Sequence, residues 1–386
     1  MLFGCVQYVG RIGRNEKENL HIGGEMDYKK IKINESTYVK ETIDSNFVSS
    51  VGKFVSDFEA DLAKFTGSPR AVAVCSGTAA LHTSLVLCEI KKDDYVITQS
   101  ITFVATCNSI SYCGAKPIFI DIDKNTLGLS PSKTEEWLSE NAYIDNDGNC
   151  RNRLDDKKIK ACIPMHTFGH PIDLDNMKNV CKKWNLFLIE DAAESLGSYY
   201  KGKHTGTFGD YGTLSFNGNK VITTGGGGAI LSNEQNGNRA KHITTTGKVD
   251  HEYEYFHDMV AFNYRMPNIN AALGVAQIEK LNEFLKNKRK LAKTYKEFFQ
   301  DSEFIFFDEP TDSKSNFWLN AIICHDKSQR DELLKFTNKN NIMTRPIWIM
   351  MTKLPMWENS IKGNLENSFW AEEKIVNIPS SVTIRN

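Results

Sequence analysis

Lys220 is the residue whose type and setting most directly suggest covalent chemistry. It lies in the segment Ser215–Gly228, which starts Ser-Phe-Asn-Gly-Asn-Lys and ends in four consecutive glycines. A lysine in the body of a fold is costly to bury as a cation, so it is paired, neutralised or used. Glycines let a backbone or a ligand approach closely. The segment alone fits a flexible hairpin with a solvated lysine equally well, so the rest of the chain has to decide.

Two other segments offer an anion site and a carboxylate. Ser76-Gly77-Thr78 follows the apolar run 71–75 and precedes an apolar helical pattern, an arrangement that directs free backbone N–H groups at an anion. Asp191 follows another apolar run, 186–189. Ligands of a parallel sheet bind beyond the carboxyl ends of its strands, so these features and Lys220 are predicted to share one edge. The alternatives are a plain strand-to-helix turn and a helix-capping aspartate.

A lysine, a carboxylate and an anion-binding turn on one edge suit pyridoxal phosphate. The lysine amine forms a Schiff base with the aldehyde of this cofactor, the helix N-terminus receives its phosphate, and the carboxylate keeps its ring nitrogen protonated. The glycines after Lys220 would let the next strand pass close beneath the ring. Phe103, at the start of the helix after another strand, could cover the ring face. An ordinary core aromatic is an equally good interpretation of Phe103.

An α/β alternation has to position these residues. Near-continuous apolar strands separated by helices predict a mostly parallel central sheet flanked by helices on both faces. A helical pattern over 36–65 precedes the sheet, and the polar segment 141–158 reads as a loop or insertion. The predicted strands are 71–75, 95–98, 117–120, 160–163, 186–189, 211–216 and 229–231.

Three segments are predicted along the chain: an N-terminal arm, residues 1–35, a large domain, residues 36–267, and a smaller α+β domain, residues 268–386. The small domain begins with one long helical pattern over 268–299. Its further predicted elements are a strand at 317–324, a helix at 328–338 and a strand at 342–348.

The composition narrows the class of protein. The 386 residues carry a net charge of −1 and are 40% hydrophobic, which fits a globular chain and implies no strong field for nucleic acid or an anionic membrane. Nine cysteines without a C-x-x-C motif predict free thiols in a cytoplasmic protein. His166 and His170 have the spacing of a metal pair, but Gly169 and Pro171 argue against a helix there, so no metal is expected. Neither a secretory leader nor a long apolar run is found, so an unexported chain without a membrane span is expected.

Several motifs, in order along the chain, resemble the DegT/DnrJ-type sugar-nucleotide aminotransferases, pyridoxal-phosphate enzymes of fold type I. The segment around Lys220 and Thr344-Arg-Pro-Ile-Trp348 are most similar to the LegC/PglE-type subgroup. The resemblance runs from about Phe47 to about Pro379. The motifs are Phe47-Val-Ser-Ser-Val-Gly-Lys53, Ser76-Gly-Thr-Ala-Ala-Leu81, Thr102-Phe-Val-Ala-Thr106, Glu190-Asp-Ala-Ala193, Ser215-Phe-Asn-Gly-Asn-Lys-Val-Ile-Thr-Thr-Gly225 and Asn263-Tyr-Arg-Met266.

The resemblance implies a role for each matching residue. Lys220 would form the internal aldimine with pyridoxal 5′-phosphate and then move the proton between the cofactor and the sugar carbon. Asp191 would pair with the ring nitrogen, and Phe103 would stack on the ring. The other implied cofactor contacts are Gly77, Thr78 and Ser215 at the phosphate, Asn263 at the phosphate from the neighbouring subunit, and Glu194 near the cofactor hydroxyl.

Three of the candidate site residues have open alternatives. Glu194 is equally well read as a glutamate on a helix surface. His166 is a candidate substrate contact, with a satisfied structural histidine as the alternative. Arg345 could bind a substrate phosphate or the donor carboxylate, and a structural ion pair is the alternative.

The resemblance also implies an activity. A homodimer with shared active sites would use glutamate to convert a UDP-linked 4-keto-6-deoxy-N-acetylhexosamine to the 4-amino sugar, for a bacterial surface glycan or a nonulosonic acid. Amination at C3 of a 3-keto nucleotide sugar is an alternative. A sugar dehydratase of the same fold is disfavoured because such relatives carry histidine in place of Lys220. A regulatory or binding protein without turnover is disfavoured by Lys220, Asp191 and Ser215 together.

Overall fold

A computed structural model describes residues 35–382, so the predicted N-terminal arm lies outside the described residues except for Glu35. Two 3-10 helices, Thr167–Gly169 and Met351–Lys353, accompany the regular elements. The described strands, in chain order, are β1 (Arg70–Val74), β2 (Tyr95–Gln99), β3 (Lys116–Ile120), β4 (Ala142–Ile144), β5 (Cys150–Asn152), β6 (Ile159–Ile163), β7 (Phe187–Asp191), β8 (Tyr199–Tyr200), β9 (Lys203–His204), β10 (Tyr211–Ser215), β11 (Gly228–Ser232), β12 (Ile305–Phe306), β13 (Ser313–Lys314), β14 (Asn320–Ile323), β15 (Arg345–Pro346) and β16 (Ile375–Ile378). The described α-helices are α1 (Glu35–Asp44), α2 (Lys53–Thr66), α3 (Gly77–Leu87), α4 (Val104–Tyr112), α5 (Pro131–Asn141), α6 (Leu174–Lys183), α7 (Glu234–Thr244), α8 (Asn268–Ile278), α9 (Leu281–Phe299), α10 (Lys327–Lys339) and α11 (Glu366–Lys374).

Seven strands form the central sheet, in the order β1-β11-β10-β7-β6-β2-β3. β11 runs antiparallel to both of its neighbours, and every other pair is parallel. Both faces are buried: Val96 and Ile97, adjacent on β2, pack into different cores, one with Leu81 of α3 and the other with Trp137 of α5. Such two-sided burial is why these strands read as near-continuous apolar runs. The predicted fold class is confirmed, and all seven strands of this sheet fall where the sequence predicts them.

The strand order brings the predicted site segments together. β1, β10 and β7 run in the same direction because β1 and β10 each pair antiparallel with β11, while β10 pairs parallel with β7. Their carboxyl ends therefore face the same side of the sheet. Ser76 and Lys220 follow the ends of β1 and β10, and Asp191 is the last residue of β7. The shared edge expected from the sequence is present.

The second sheet, in the order β12-β14-β16-β15, packs against α9 and α10. The prediction of one long helix over 268–299 is wrong, because the chain forms α8 and α9 with a break at Glu279 and Lys280. The two helices serve different cores. α8 packs beside α2 in the core of the large sheet, whereas the second half of α9 packs against the small sheet. The predicted domain boundary at 267 stays a prediction, and this packing supports a boundary within α9.

Other sequence predictions differ from the structure in detail. The helical pattern over 36–65 forms two helices, α1 and α2, and the predicted loop at 141–158 contains the β4–β5 hairpin. Sequence reasoning missed α5, α7 and α11, because few of their residues are apolar and the hydrophobic period is weak. Within residues 35–382, no helix is long and apolar enough to cross a membrane.

Candidate active site

The N-terminus of α3 forms one side of the site. The Ser76 hydroxyl accepts a hydrogen bond from the Ala79 amide at 3.1 Å, which caps the helix. The first amides of the helix, at Gly77 and Thr78, have no partner within it and suit an anion. A Cβ on Gly77 would lie 2.9 Å from the Ser215 Cβ, so the helix start touches the end of β10. The structure thus brings together the three predicted phosphate contacts.

The last glycine of the run, Gly228, lies against the start of α3. A Cβ on Gly228 would lie 2.5 Å from the Ser76 carbonyl carbon and 2.6 Å from the Gly77 nitrogen. The close approach that glycine permits is therefore to the anion-binding turn itself. β11 begins at Gly228, and the expected passage of this strand close beneath the cofactor ring stays a prediction.

Asp191 is a buried acid at the end of β7, with 2% of its surface exposed. Thr106 of α4 donates its hydroxyl hydrogen to Asp191 Oδ2 at 2.7 Å, and the Ala193 amide donates to Oδ1 at 3.2 Å. Burial raises the pKa of Asp191, while these hydrogen bonds and the positive charge of Lys220 act in the opposite direction. The chain after Asp191 continues in turns, so the alternative of a helix cap is wrong.

Lys220 faces Glu194, which is likewise only 2% exposed. The Lys220 Nζ lies 3.5 Å from Glu194 Oε1, and the Phe168 amide donates to Glu194 Oε2 at 2.9 Å. Burial raises the pKa of Glu194 to about 7, against the opposing effect of the Lys220 charge. The interpretation of Glu194 as a helix-surface residue is wrong, and so is the interpretation of Lys220 as a solvated loop cation.

Two residues that sequence reasoning missed complete the surroundings of the lysine and the aspartate. Trp318 places its ring centroid 4.1 Å from the Lys220 Nζ. Thr106 carries the hydroxyl that binds Asp191. Thr106 lies in one of the motifs shared with the resembling family, which was a usable signal. Trp318 lies in an apolar run that reads as an ordinary strand, so no signal distinguished it.

Phe103 and Asn263 are exposed in the single chain. Phe103 precedes α4 and is 49% exposed, so its interpretation as an ordinary core aromatic is wrong. An exposed ring beyond the end of β2 is available to a ligand. Asn263 is exposed and accepts a hydrogen bond from Arg265 Nε at 2.9 Å. The roles of both residues towards the cofactor stay predictions.

The two candidate substrate contacts differ in their surroundings. His166 is fully buried, with Nε2 3.1 Å from Glu190 Oε2 and Nδ1 accepting from the Ile172 amide. With both ring nitrogens satisfied, the structural alternative is favoured over a substrate contact. Arg345 is exposed and donates from Nη1 to Asn338 Oδ1 at 2.8 Å and to the Thr344 carbonyl. Both acceptors are neutral, so these contacts do not form the ion pair that was the alternative.

The residues on this edge fit pyridoxal phosphate. A helix N-terminus held open by Gly77 suits the phosphate, and the buried Asp191 suits a protonated ring nitrogen. Lys220 contacts Glu194, and its positive charge acts on the pKa of Asp191. In the part of the chain that the structure describes, no group of three or more His, Cys, Asp or Glu residues could hold a metal ion. The fold and this site together define the class of pyridoxal-phosphate-dependent transferases.

Comparisons with known proteins identify the family of transferases to which the chain belongs. Residues 29–386 match the DegT/DnrJ/EryC1/StrS aminotransferase family, and the chain belongs to that family. GDP-perosamine synthase of Escherichia coli O157:H7 is 36% identical over 355 residues, covering 91% of this chain and 92% of its own. A Brucella abortus aminotransferase of this family has a TM-score of 0.83 at 22% identity, over 92% of this chain and 91% of its own. The PLP form of Streptococcus pneumoniae Spr1654 has a TM-score of 0.82 at 22% identity, over 94% and 95%. The chain is an aminotransferase, and pyridoxal phosphate is its cofactor.

Proposed function

We propose that this aminotransferase moves the amino group of glutamate to C4 of a nucleotide-linked 4-keto-6-deoxy sugar. The observation that carries the proposal is the contact of Lys220 with buried Glu194 on the sheet edge that also holds Asp191 and the start of α3. Family membership and the 36% identical GDP-perosamine synthase support a sugar substrate. A UDP-linked N-acetylhexosamine is our first candidate, from the LegC/PglE-type motifs, for a bacterial surface glycan or a nonulosonic acid. A GDP-linked sugar is the second, from that relative.

Each residue of the site has its own role in the proposed reaction. When bound, pyridoxal phosphate supplies an electron sink. Lys220 is the covalent anchor, and its Nζ takes and returns the proton at the reacting carbon. Asp191, fixed by Thr106, stabilises positive charge at the ring nitrogen. The amides of Gly77 and Thr78, with the Ser215 hydroxyl, bind the phosphate.

A second subunit completes the proposed site. Asn263 is exposed, and the segment before it presents several exposed apolar side chains, which a partner subunit would cover. We propose a homodimer in which Asn263 of one subunit reaches the phosphate bound by the other. The exposed apolar side chains of this segment are Tyr253, Tyr255, Phe256, Met259 and Val260.

The working compartment is also part of the proposal. Every cysteine in the range 35–382 is a free thiol, and most of these thiols are buried. Free thiols persist in a reducing compartment. We therefore place the enzyme in the cytoplasm, where nucleotide sugars would reach it without crossing a membrane.

The test is direct. The purified protein is incubated with glutamate and with UDP- and GDP-linked 3-keto and 4-keto sugars, and the products are analysed by mass spectrometry and NMR. A 4-amino product with the UDP or the GDP sugar supports the proposal and shows which nucleotide the substrate carries. Exclusive 3-amination, a dehydrated product or binding without turnover would contradict it. Lys220→Ala should abolish the change that glutamate causes in cofactor absorbance, whereas Lys286→Ala, at an exposed lysine of α9, should not.

A further inference from the structure

Trp318 contacts Lys220 in two ways, although it lies just before β14 of the small sheet. The ring centroid is 4.1 Å from the Lys220 Nζ. The indole Nε1 donates a hydrogen bond to the Asn219 carbonyl at 2.8 Å. One side chain therefore holds the lysine nitrogen through its ring face and the lysine backbone through the neighbouring carbonyl.

Trp318 is itself connected to Glu194, the other side chain at the lysine nitrogen. Its backbone N–H donates to Asn316 Oδ1 at 2.7 Å, and the Asn316 side-chain amide donates to the Glu194 carbonyl at 2.8 Å. Asn316 is fully buried. The two groups that contact the Lys220 Nζ are thus linked to each other by one asparagine.

The backbone next to Trp318 has an unusual conformation and is held by a buried lysine. Phe317 has a φ of 47°, the left-handed region that bulky residues rarely adopt. Lys288 of α9 is only 4% exposed and donates from Nζ to the Trp318 carbonyl at 3.1 Å and to the Ser380 carbonyl at 2.7 Å. Burial lowers the pKa of Lys288 to about 8. A strained residue and a buried lysine persist only where the surrounding structure demands them, and such features cluster at functional sites.

The ring face of tryptophan attracts a cation more strongly than that of any other side chain, and more so where water is excluded. Trp318 is only 6% exposed. The Lys220 nitrogen therefore contacts both the negative face of a ring and the Glu194 carboxyl, with Asp191 adding a further negative charge nearby. This arrangement limits the directions in which Nζ can move.

We propose that Trp318 is a positioning residue for Lys220: its ring holds the lysine nitrogen against Glu194, and its N–H fixes the Asn219–Lys220 backbone. A residue next to the small sheet thereby determines where the Nζ of the catalytic lysine lies. The catalytic meaning of this inference rests on the proposed function, but the contact itself does not. Loss of the ring should slow proton transfer by Lys220 and leave glutamate binding unchanged.

The experiment measures the chemical reactivity of Lys220 in the full-length chain freed of cofactor. Trace acetic anhydride labels the lysines, and mass spectrometry gives the labelling of Lys220 relative to exposed Lys286. Trp318→Leu should raise this ratio about 2- to 30-fold, the range that corresponds to a lost cation–π contact. Trp318→Phe keeps a ring face but loses the indole N–H, so it should raise the ratio less than Trp318→Leu does. Trp370→Leu is the matched control, because Trp370 makes its cation–π contact with Lys124.

A second readout uses the loaded enzyme. In the half-reaction with glutamate, Trp318→Leu should lower kcat and leave KM unchanged. Only the proton-transfer step depends on the position of the Lys220 Nζ, whereas glutamate binding does not. Circular dichroism and Tm establish that each variant is folded. If Trp318→Leu does not fold, Trp318→Met takes its place, because the flexible methionine side chain adapts to an irregular space and carries no ring.

Two results would overturn the proposal. The first is an unchanged Lys220 labelling ratio in a folded Trp318→Leu or Trp318→Met variant. The second is an equal rise in Trp370→Leu, which would show a general loosening of the fold. If the wild type aminates no keto-sugar, the proposed function fails, but the labelling result still decides whether Trp318 holds Lys220.

Discussion

The Lys220 Nζ and Glu194 Oε1 lie 3.5 Å apart, and Glu194 is almost completely buried. The second carboxyl oxygen of Glu194 accepts the Phe168 amide, so the orientation of the carboxyl group is fixed. The contact joins the segment after β10 to the turn after β7. It also gives the site an acid whose pKa, at about 7, lets it change charge near neutral pH.

Glu194 should make the stability of the cofactor-free chain depend on pH. Its folded pKa of about 7 lies above the ordinary value of 4.5, so the folded chain binds more protons between these values. The contribution of Glu194 to the free energy of unfolding is therefore fully present below pH 4.5. It is lost as the pH rises through 7. Glu194→Gln should lack this loss. Urea unfolding should show the variant gaining up to about 3 kcal/mol over the wild type across the window, and parallel pH curves would contradict the assignment.

Thr106 should support the ionised form of Asp191. Thr106→Val removes a hydroxyl donor from a buried carboxyl, which should cost about 1–3 kcal/mol in the free energy of unfolding. The lost hydrogen bond is one that lowers the pKa of Asp191, so the pKa should rise further. The acid limb of the kcat/KM profile should then move to higher pH. Thr106→Ser keeps the hydroxyl and should restore the wild-type profile, and an unmoved acid limb in the valine variant would refute the role.

Gly228 should control the shape of the phosphate site. In Gly228→Ala the new Cβ would lie 2.5 Å from the Ser76 carbonyl carbon, so the turn at the start of α3 has to shift. Overpacking of this kind costs about 1–3 kcal/mol. We expect a lower Tm and weaker binding of pyridoxal phosphate, measured by absorbance titration. Gly226→Ala is the control, because its Cβ would meet no heavy atom within 4 Å; equal effects in the two variants would count against the close approach.

Asn263 should act across the dimer. Lys220→Ala and Asn263→Ala homodimers should both be impaired, whereas mixed dimers should hold one site with both native residues. Random exchange of subunits makes half of the dimers mixed, so activity should recover to about a quarter of the wild-type value. Assays before and after subunit exchange measure the recovery. Activity that stays at the average of the two variants would place Asn263 and Lys220 in the same subunit.

Much of the fold and part of the site follow from local patterns. The strands of the central sheet are apolar on both faces, and their apolar runs stand out in the sequence at the positions where the structure has them. Lys220, Asp191 and the Ser76–Thr78 turn follow or end such strands, which was sufficient to predict a common edge. Polar helices such as α5 were missed because their side chains carry little hydrophobic period.

The amino-acid sequence by itself determined the class of chemistry, because residue type and position relative to a strand are local properties. Only the tertiary structure decided what surrounds Lys220. Glu194 could have been a surface residue, and its burial depends on how the chain at Phe168 and Asn316 folds over it. Trp318 lies 98 positions after Lys220 (318 minus 220) and reaches it because the small sheet packs against the segments that follow β2, β3 and β6. Contacts over such separations depend on packing between elements, which no local pattern encodes.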